Sequence, residues 1–231
     1  LTGGDREGTC VLAAYYELAE DARLHVSRLE SGLTKTVIYD QRHSVLAARA
    51  RADFYAAELG GETVIVHSYG KLSGDASEMN ERAIYAGRGR QHLDFFYHID
   101  HVGKKSKAEI DLKGALADES KKIFRGTLDF KRGCAGSVGD EGDFAIQLDP
   151  KTKNISLPLL LCTEDDVQGN HASSAGQLDQ NTIYFLMSRG FTLEEARRIV
   201  VEALIRPIID GMDEALREEV LNAVRMKLDR E

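Results

Sequence analysis

Tryptophan is absent from this 231-residue chain, and proline and cysteine occur three times each. Each scarcity excludes something. Without Trp there is no indole platform for stacking on sugar rings, which weakens a reading as a β-helix carbohydrate-active enzyme. The three cysteines, Cys10, Cys134 and Cys162, leave one unpaired in any disulfide scheme and never form C-x-x-C. A reduced, cytoplasmic setting is therefore expected, with no self-sufficient structural zinc site. No apolar run approaches the roughly 20 residues of a membrane-spanning helix. The longest, Ile155 to Cys162, is broken by Ser156 and Pro158. Polybasic runs are missing too, and a net charge of −8 argues against nucleic acid or anionic lipid as a general partner.

Several enzyme templates are absent. There is no Walker A loop, so the chain carries no ATP-hydrolysing motif of its own, and no G-x-S-x-G elbow or H-E-x-x-H pair. Gly87-Arg88-Gly89 is not a dinucleotide loop, because no helical pattern follows it. The opening, Leu1-Thr2-Gly3-Gly4-Asp5-Arg6, carries neither a signal-peptide pattern nor an initiator Met, and upstream residues are expected.

What is present reads as strands. Apolar residues make up 42% and charged residues 29%, enough for one substantial core. Short apolar or alternating runs recur from about Val11 to Ser156, among them Val37-Ile38-Tyr39, Val64-Ile65-Val66, Leu93 to Ile99, Ala108 to Leu112 and Phe144 to Leu148. The breaks between them are Gly-rich. Hairpin signatures are nearly missing, which disfavours an antiparallel sandwich. A polar-Ala-polar pattern recurs around Ala22, Ala52 and Ala76, near the length of one turn of a parallel solenoid. Ser44 to Leu59 also fits helical spacing, but its flanks are strands and strand is preferred.

The grammar changes after Gly176. Asp179 caps a helix carrying Ile183, Leu186 and Met187, which Gly190 terminates. Thr192-Leu193-Glu194-Glu195 is a capping box opening a second helix, with Ala196, Ile199, Val200, Ala203 and Leu204 on one face. Pro207 is expected to end or kink it. Asp213 opens a third helix with Leu216, Val220, Leu221, Val224 and Leu228 inward.

Several segments carry a family resemblance. Gly169-Asn170-His171-Ala172-Ser173-Ser174-Ala175-Gly176-Gln177-Leu178-Asp179, followed by Ile183-Tyr184-Phe185-Leu186-Met187-Ser188-Arg189-Gly190, resembles the signature of the SufB/SufD family, the scaffolds of Suf-type iron–sulfur cluster assembly. Gln91-His92-Leu93-Asp94, Asp100-His101 and Leu112-Lys113-Gly114-Ala115-Leu116 are similar to the family's order as well. The resemblance implies a mainly β fold, a right-handed parallel β-helix over 1–176, followed by a C-terminal α-helical bundle over 177–231. It implies a non-enzymatic scaffold on which iron and sulfide form a transient cluster, with no permanently bound cofactor. The partners implied are a second SufB/SufD-type chain, in a homodimer or heterodimer, and a SufC-like ABC ATPase docked on the helical tail.

The same resemblance ranks the candidate residues. SufD-like members place a histidine where His171 stands, at the subunit interface with Gly169 and Asn170, and it is a candidate cluster ligand; imidazole suits iron. The bland alternative is a histidine satisfying backbone groups where strand meets helix. SufB-like members carry an essential cysteine about thirty residues upstream, a place that falls near Glu141 and Gly142 here. Cys134, in a Gly-rich turn that reads as exposed, is the better thiolate candidate, whereas Cys162 ends an apolar run and reads as buried. Among the acidic residues at this end, Asp140 and Glu164-Asp165-Asp166 read as a solvated face, while Glu141 and Asp143 stay open as metal ligands. His92, His98 and His101 read as structural residues of the solenoid. A metal-free structural partner of a SufB-like chain is the second reading.

Overall fold

In the computed structural model, which describes residues 2–3 and 7–229, thirteen strands and three helices follow one another in that order. The strands are β1 (Thr2–Gly3), β2 (Gly8–Leu18), β3 (Arg23–Gly32), β4 (Thr36–Leu46), β5 (Arg51–Glu58), β6 (Thr63–Leu72), β7 (Glu78–Gly87), β8 (His92–His101), β9 (Lys107–Leu116), β10 (Lys121–Phe130), β11 (Ser137–Gln147), β12 (Lys153–Cys162) and β13 (Val167–Gln177). Odd strands make one parallel sheet, β1-β3-β5-β7-β9-β11-β13, and even strands make the other, β12-β10-β8-β6-β4-β2. The chain alternates between the two sheets, so it winds as a parallel β-solenoid of about six turns.

The repeat is set by backbone register. Arg23 pairs with Arg51, Arg51 with Glu78 and Glu78 with Lys107, steps of 28, 27 and 29 residues. The alanine pattern has this period but not this register. Ala22 lies opposite Ala50 rather than Ala52, since Arg51 donates to the Ala22 carbonyl as Glu78 does to that of Ala50. Ala76 belongs to another column, the corner residues Asp21, Arg49, Ala76 and Lys105, all at φ between 55° and 63°. These left-handed corners are held by Ala, Arg, Asp and Lys rather than Gly, at a cost that the stacked backbone hydrogen bonds between corners offset.

The interior is filled from both sheets. Even strands bring Phe95, Tyr97, Phe124, Leu128 and Phe130; odd strands bring Phe54, Tyr85 and Leu112 together with the small Ala52, Ala56, Ala83 and Ala108, and all are buried in one apolar cluster. Charges also lie inside. Arg28 pairs with Asp40 and Glu58, and Arg42 with Glu81, which also accepts a hydrogen bond from the Ser68 hydroxyl.

Helix α1 (Gln180–Ser188) has Asp179 as its cap, accepting from the amides of Asn181 and Thr182, and α2 (Leu193–Gly211) begins with the complete Thr192/Glu195 capping box. Helix α3 (Glu214–Leu228) follows directly. Helices α2 and α3 lie on the outer face of the odd sheet. There Val201, Ile205, Ile208, Ile209, Met212, Val220 and Val224 form a second core with Leu29, Ala57, Ile84 and Ala115.

Two helical expectations are corrected. The buried face of α2 runs through Ala196, Val201, Ile205, Ile208 and Ile209; Ala203 is exposed, and Ile199, Val200 and Leu204 are only half-buried. Of the two outcomes expected at Pro207, ending is overturned, since the helix continues to Gly211. The missing proline amide costs about 3 kcal/mol in a helix interior. Burial of Ile208, Ile209 and Met212 on the sheet, at about 1.5–3 kcal/mol per side chain, outweighs it.

Coil-on-coil stacking leaves no space at some corners. A Cβ on Gly103 would lie 2.1 Å from the Gly74 carbonyl oxygen, backbone against backbone, whereas one on Gly8 would meet nothing within 4 Å. Gly103→Ala is expected to destabilise the chain by about 2–4 kcal/mol in urea unfolding, with Gly8→Ala neutral to within about 0.5 kcal/mol. An unchanged midpoint for Gly103→Ala would show that the corners are looser than this packing.

Candidate functional site

Inward and outward positions alternate along β11: Ser137, Gly139, Glu141, Asp143 and Ala145 are buried, whereas Asp140 is exposed. Register partners in a parallel sheet project to the same side. Glu141 pairs with His171, Asp143 with Ser173 and Gly139 with Gly169, so β13 sets His171 in the inward column directly beyond Glu141. Among the described residues nothing stacks on β13 from the other side, and His171 is exposed. His171 therefore lies within the last strand of the solenoid, ahead of the point where strand gives way to helix. On the outer side, Asn170 Nδ2 donates to Asp140 Oδ1 at 2.8 Å. A recess of about 310 Å³ lies on this outer side, lined by Asp111, Lys113, Asp140, Phe144 and Asn170 among others.

Beneath His171 the lumen is polar. Asp143 is buried and paired with the equally buried Lys122, whose ammonium also lies 5.2 Å from the centre of the Tyr85 ring. Burial pulls the Lys122 ammonium below its ordinary pKa, against the Asp143 carboxylate that favours its charge. Glu141, 4% exposed, has neither carboxylate oxygen hydrogen-bonded. It rests against Gly126, where a Cβ would overlap the carboxylate. Desolvation, and secondarily the charge of Asp143, push its pKa up to about 8. Burial thus holds Glu141 toward its neutral form, and a cation brought beside it would favour the carboxylate.

The cysteines exchange their expected environments. Cys134 is fully buried in the main core, and burial raises its thiol pKa, so it is no thiolate. Cys162 is exposed, because β12 ends the even sheet and no further coil covers it. The acidic loop behaves as a solvated segment, Glu164 accepting from the Gly133 amide at 2.7 Å. The three histidines of β8 do not converge. His92 is exposed and His98 faces outward, while His101 is buried, bonded to Ser106 Oγ at 2.8 Å and stacked on Phe130. Desolvation lowers its pKa to about 4. Strand β8 runs on through Asp100 to His101, and this turns His101 inward.

The structure thus brings His171, Glu141 and Asp143 to one end of the lumen and leaves Cys134 apart in the core. It does not close them into a tight three-donor set. Among the described residues, the group whose metal-type donor atoms lie within 4.8 Å of one another is His98, Asp100 and Asp129. Sequence order hides this group, since Asp129 joins the other two only through the register of β8 and β10.

Residues 4–204 match the family model of the SUF system FeS cluster assembly, SufBD core domain. The chain belongs to the SufBD family. It is 28% identical over 204 residues to the iron–sulfur cluster assembly protein SufD of Bacillus subtilis, covering 88% of this chain and 46% of that protein. An iron–sulfur cluster assembly SufBD family protein of Mycobacterium leprae is 26% identical, over 90% of this chain and 55% of its own length. One from Mycobacterium tuberculosis is 24% identical, over 97% and 59%. The chain spans about half the length of these SufBD relatives. It has no helix long and apolar enough to cross a membrane among the described residues.

The Glu141 environment has a pH signature. A carboxyl whose pKa is raised on folding favours the folded state fully below its unfolded value, and that contribution is lost as pH rises through the folded value. Glu30, buried and shifted to about 7, acts in the same sense. Thermal stability is therefore expected to fall between about pH 5 and pH 8, and Glu141→Gln to flatten this slope and gain about 1–3 kcal/mol at pH 8. A Glu141→Gln chain that melts with the wild-type pH profile would show that Glu141 is solvated.

Proposed function

We propose that this SufBD-family chain is a scaffold subunit on which iron and sulfide are assembled into a transient cluster. The observation that carries the reading is the uncovered last coil, with exposed His171 stacked beyond buried, unpartnered Glu141. An imidazole and a carboxylate that releases its proton on meeting a cation form a donor pair suited to iron(II). Sulfide and thiolate donors are then supplied from outside this column, which holds no cysteine of its own.

Pairing through the β-helix has support in the same coil. Strands β12 and β13 end their sheets, and on β12 the outward Ile155, Leu157, Leu159 and Leu161 are 39–54% exposed. Open strand edges bearing apolar side chains are a pairing surface unless covered. In this reading Gly169, Asn170 and His171 lie at the contact with a second SufB/SufD-type chain. The functional division follows 1–176 for pairing and 177–231 for docking a SufC-like ABC ATPase in the cytoplasm. Exposed Tyr184, Phe185 and Met187 of α1, with Phe191, offer the helical tail an apolar contact. The missing thiol in the His171 column favours a second reading, a metal-free partner that stabilises a SufB-like chain.

Anaerobic co-purification with the organism's SufC-like ATPase, followed by iron and sulfide, separates these. A stable complex whose near-UV and visible absorbance is lost in His171→Ala supports the scaffold. A stable complex that stays colourless supports the metal-free partner, and no complex at all overturns ATPase docking.

A further inference from the structure

The even sheet carries a second, separate collection of donors on its outer face. Strands β8 and β10 set Asp100 and Asp129 side by side in register. Both are under a tenth exposed, at 8% and 6%. Like charges directly opposite on neighbouring strands repel, and withdrawal from water strengthens the repulsion. His98, two residues before Asp100 and so on the same face, places Nε2 3.0 Å from Asp100 Oδ1. Its ring is stacked on Tyr69 at 5.3 Å, and the Tyr69 hydroxyl donates to the other Asp100 oxygen. One donor atom from each of the three residues lies within 4.8 Å of the others.

Lys131 answers part of this charge. Its ammonium donates to Asp129 and lies 3.5 Å from Asp100 Oδ1, yet the side chain is 44% exposed. One positive charge stands against two negative ones. Lys71, the register neighbour of Asp100 on β6, is exposed. On β12 the neighbour of Asp129 is apolar Leu161.

We propose that His98, Asp100 and Asp129 form a binding site for a divalent first-row metal ion, with Lys131 as the resident counter-ion that loading displaces. A dication balances two carboxylates, which Lys131 alone does not, and can take a nitrogen donor from the imidazole. One nitrogen and two carboxylate oxygens, with open positions for water, suit Fe(II), Mn(II) or Zn(II) rather than a soft-metal or thiolate site. Tyr69 acts through Asp100, fixing which carboxylate oxygen is turned to the ion, and is a positioning residue. The site lies on the other sheet from His171 and on its outside, so it stands or falls independently of the scaffold reading.

The test uses the full chain carrying His171→Ala, so that the lumen end contributes nothing. Mn(II) is the probe, read as loss of the free-ion EPR signal, with Fe(II) under anaerobic conditions and Zn(II) as competitors. The expected result is one saturable Mn(II) per chain, displaced by either competitor. His98→Ala and Asp129→Asn should each weaken it at least tenfold. Lys131→Met, a change at an exposed side chain, should tighten it several-fold, with the strand circular dichroism unchanged in all variants. Absence of saturable binding in both the starting chain and Lys131→Met would overturn the proposal. So would binding that survives His98→Ala and Asp129→Asn undiminished.

Discussion

In-register stacking of coil on coil is the constraint from which the rest of this molecule follows. Every inward side chain is covered only by the coils before and after it, and every backbone edge is satisfied only by its neighbours. Inner residues therefore form columns, and a column ends wherever the chain stops supplying coils. That is why Phe54, Glu81, Ile110 and Glu141 are buried while His171, the next member of the same column, is exposed. The chemistry of the lumen end and the apolar row on β12 arise from this one termination.

The buried charges hold that register in place. Moving a strand by one residue would turn Arg42, Glu81, Lys122 and Asp143 outward and bring their neighbours in. Buried ion pairs add little net stability over apolar residues of the same volume, but half of such a pair is strongly destabilising. Arg28 to Glu58 and Arg42 to Glu81 join one coil to the next, so a slipped coil loses both partners at once. Glu141 is different, since burial has been accepted there without a counter-charge.

Much of this was legible in the residues. Alternating runs locate the strands, and the capping chemistry at Asp179 and Thr192 locates the first two helices where the structure has them. Their parallel pairing rests on scarce hairpin signals and on an alanine pattern spaced 30 and then 24 residues, which approximates the 27–29-residue steps without their register, and the family order of motifs points the same way. What was not legible depended on position within the stack. Cys134 sits in a Gly-rich turn yet points into a covered coil, and Cys162 ends an apolar run yet belongs to an uncovered one. Local composition cannot carry that difference. Asp129 is likewise a remote residue from His98 until β8 and β10 lie side by side. The face of α2 and its passage through Pro207 were set by the sheet it covers, not by helical propensity.

The second core has a temporal meaning. Leu29, Ala57, Ile84 and Ala115 belong to strands made before the helices that cover them, which occupy residues 193–228. Until those helices clear the ribosome, the wound sheet presents an apolar outer face to the cell. Chaperone dependence and loss of yield on C-terminal truncation should both trace to that interval, in which the solenoid is already wound but not yet roofed.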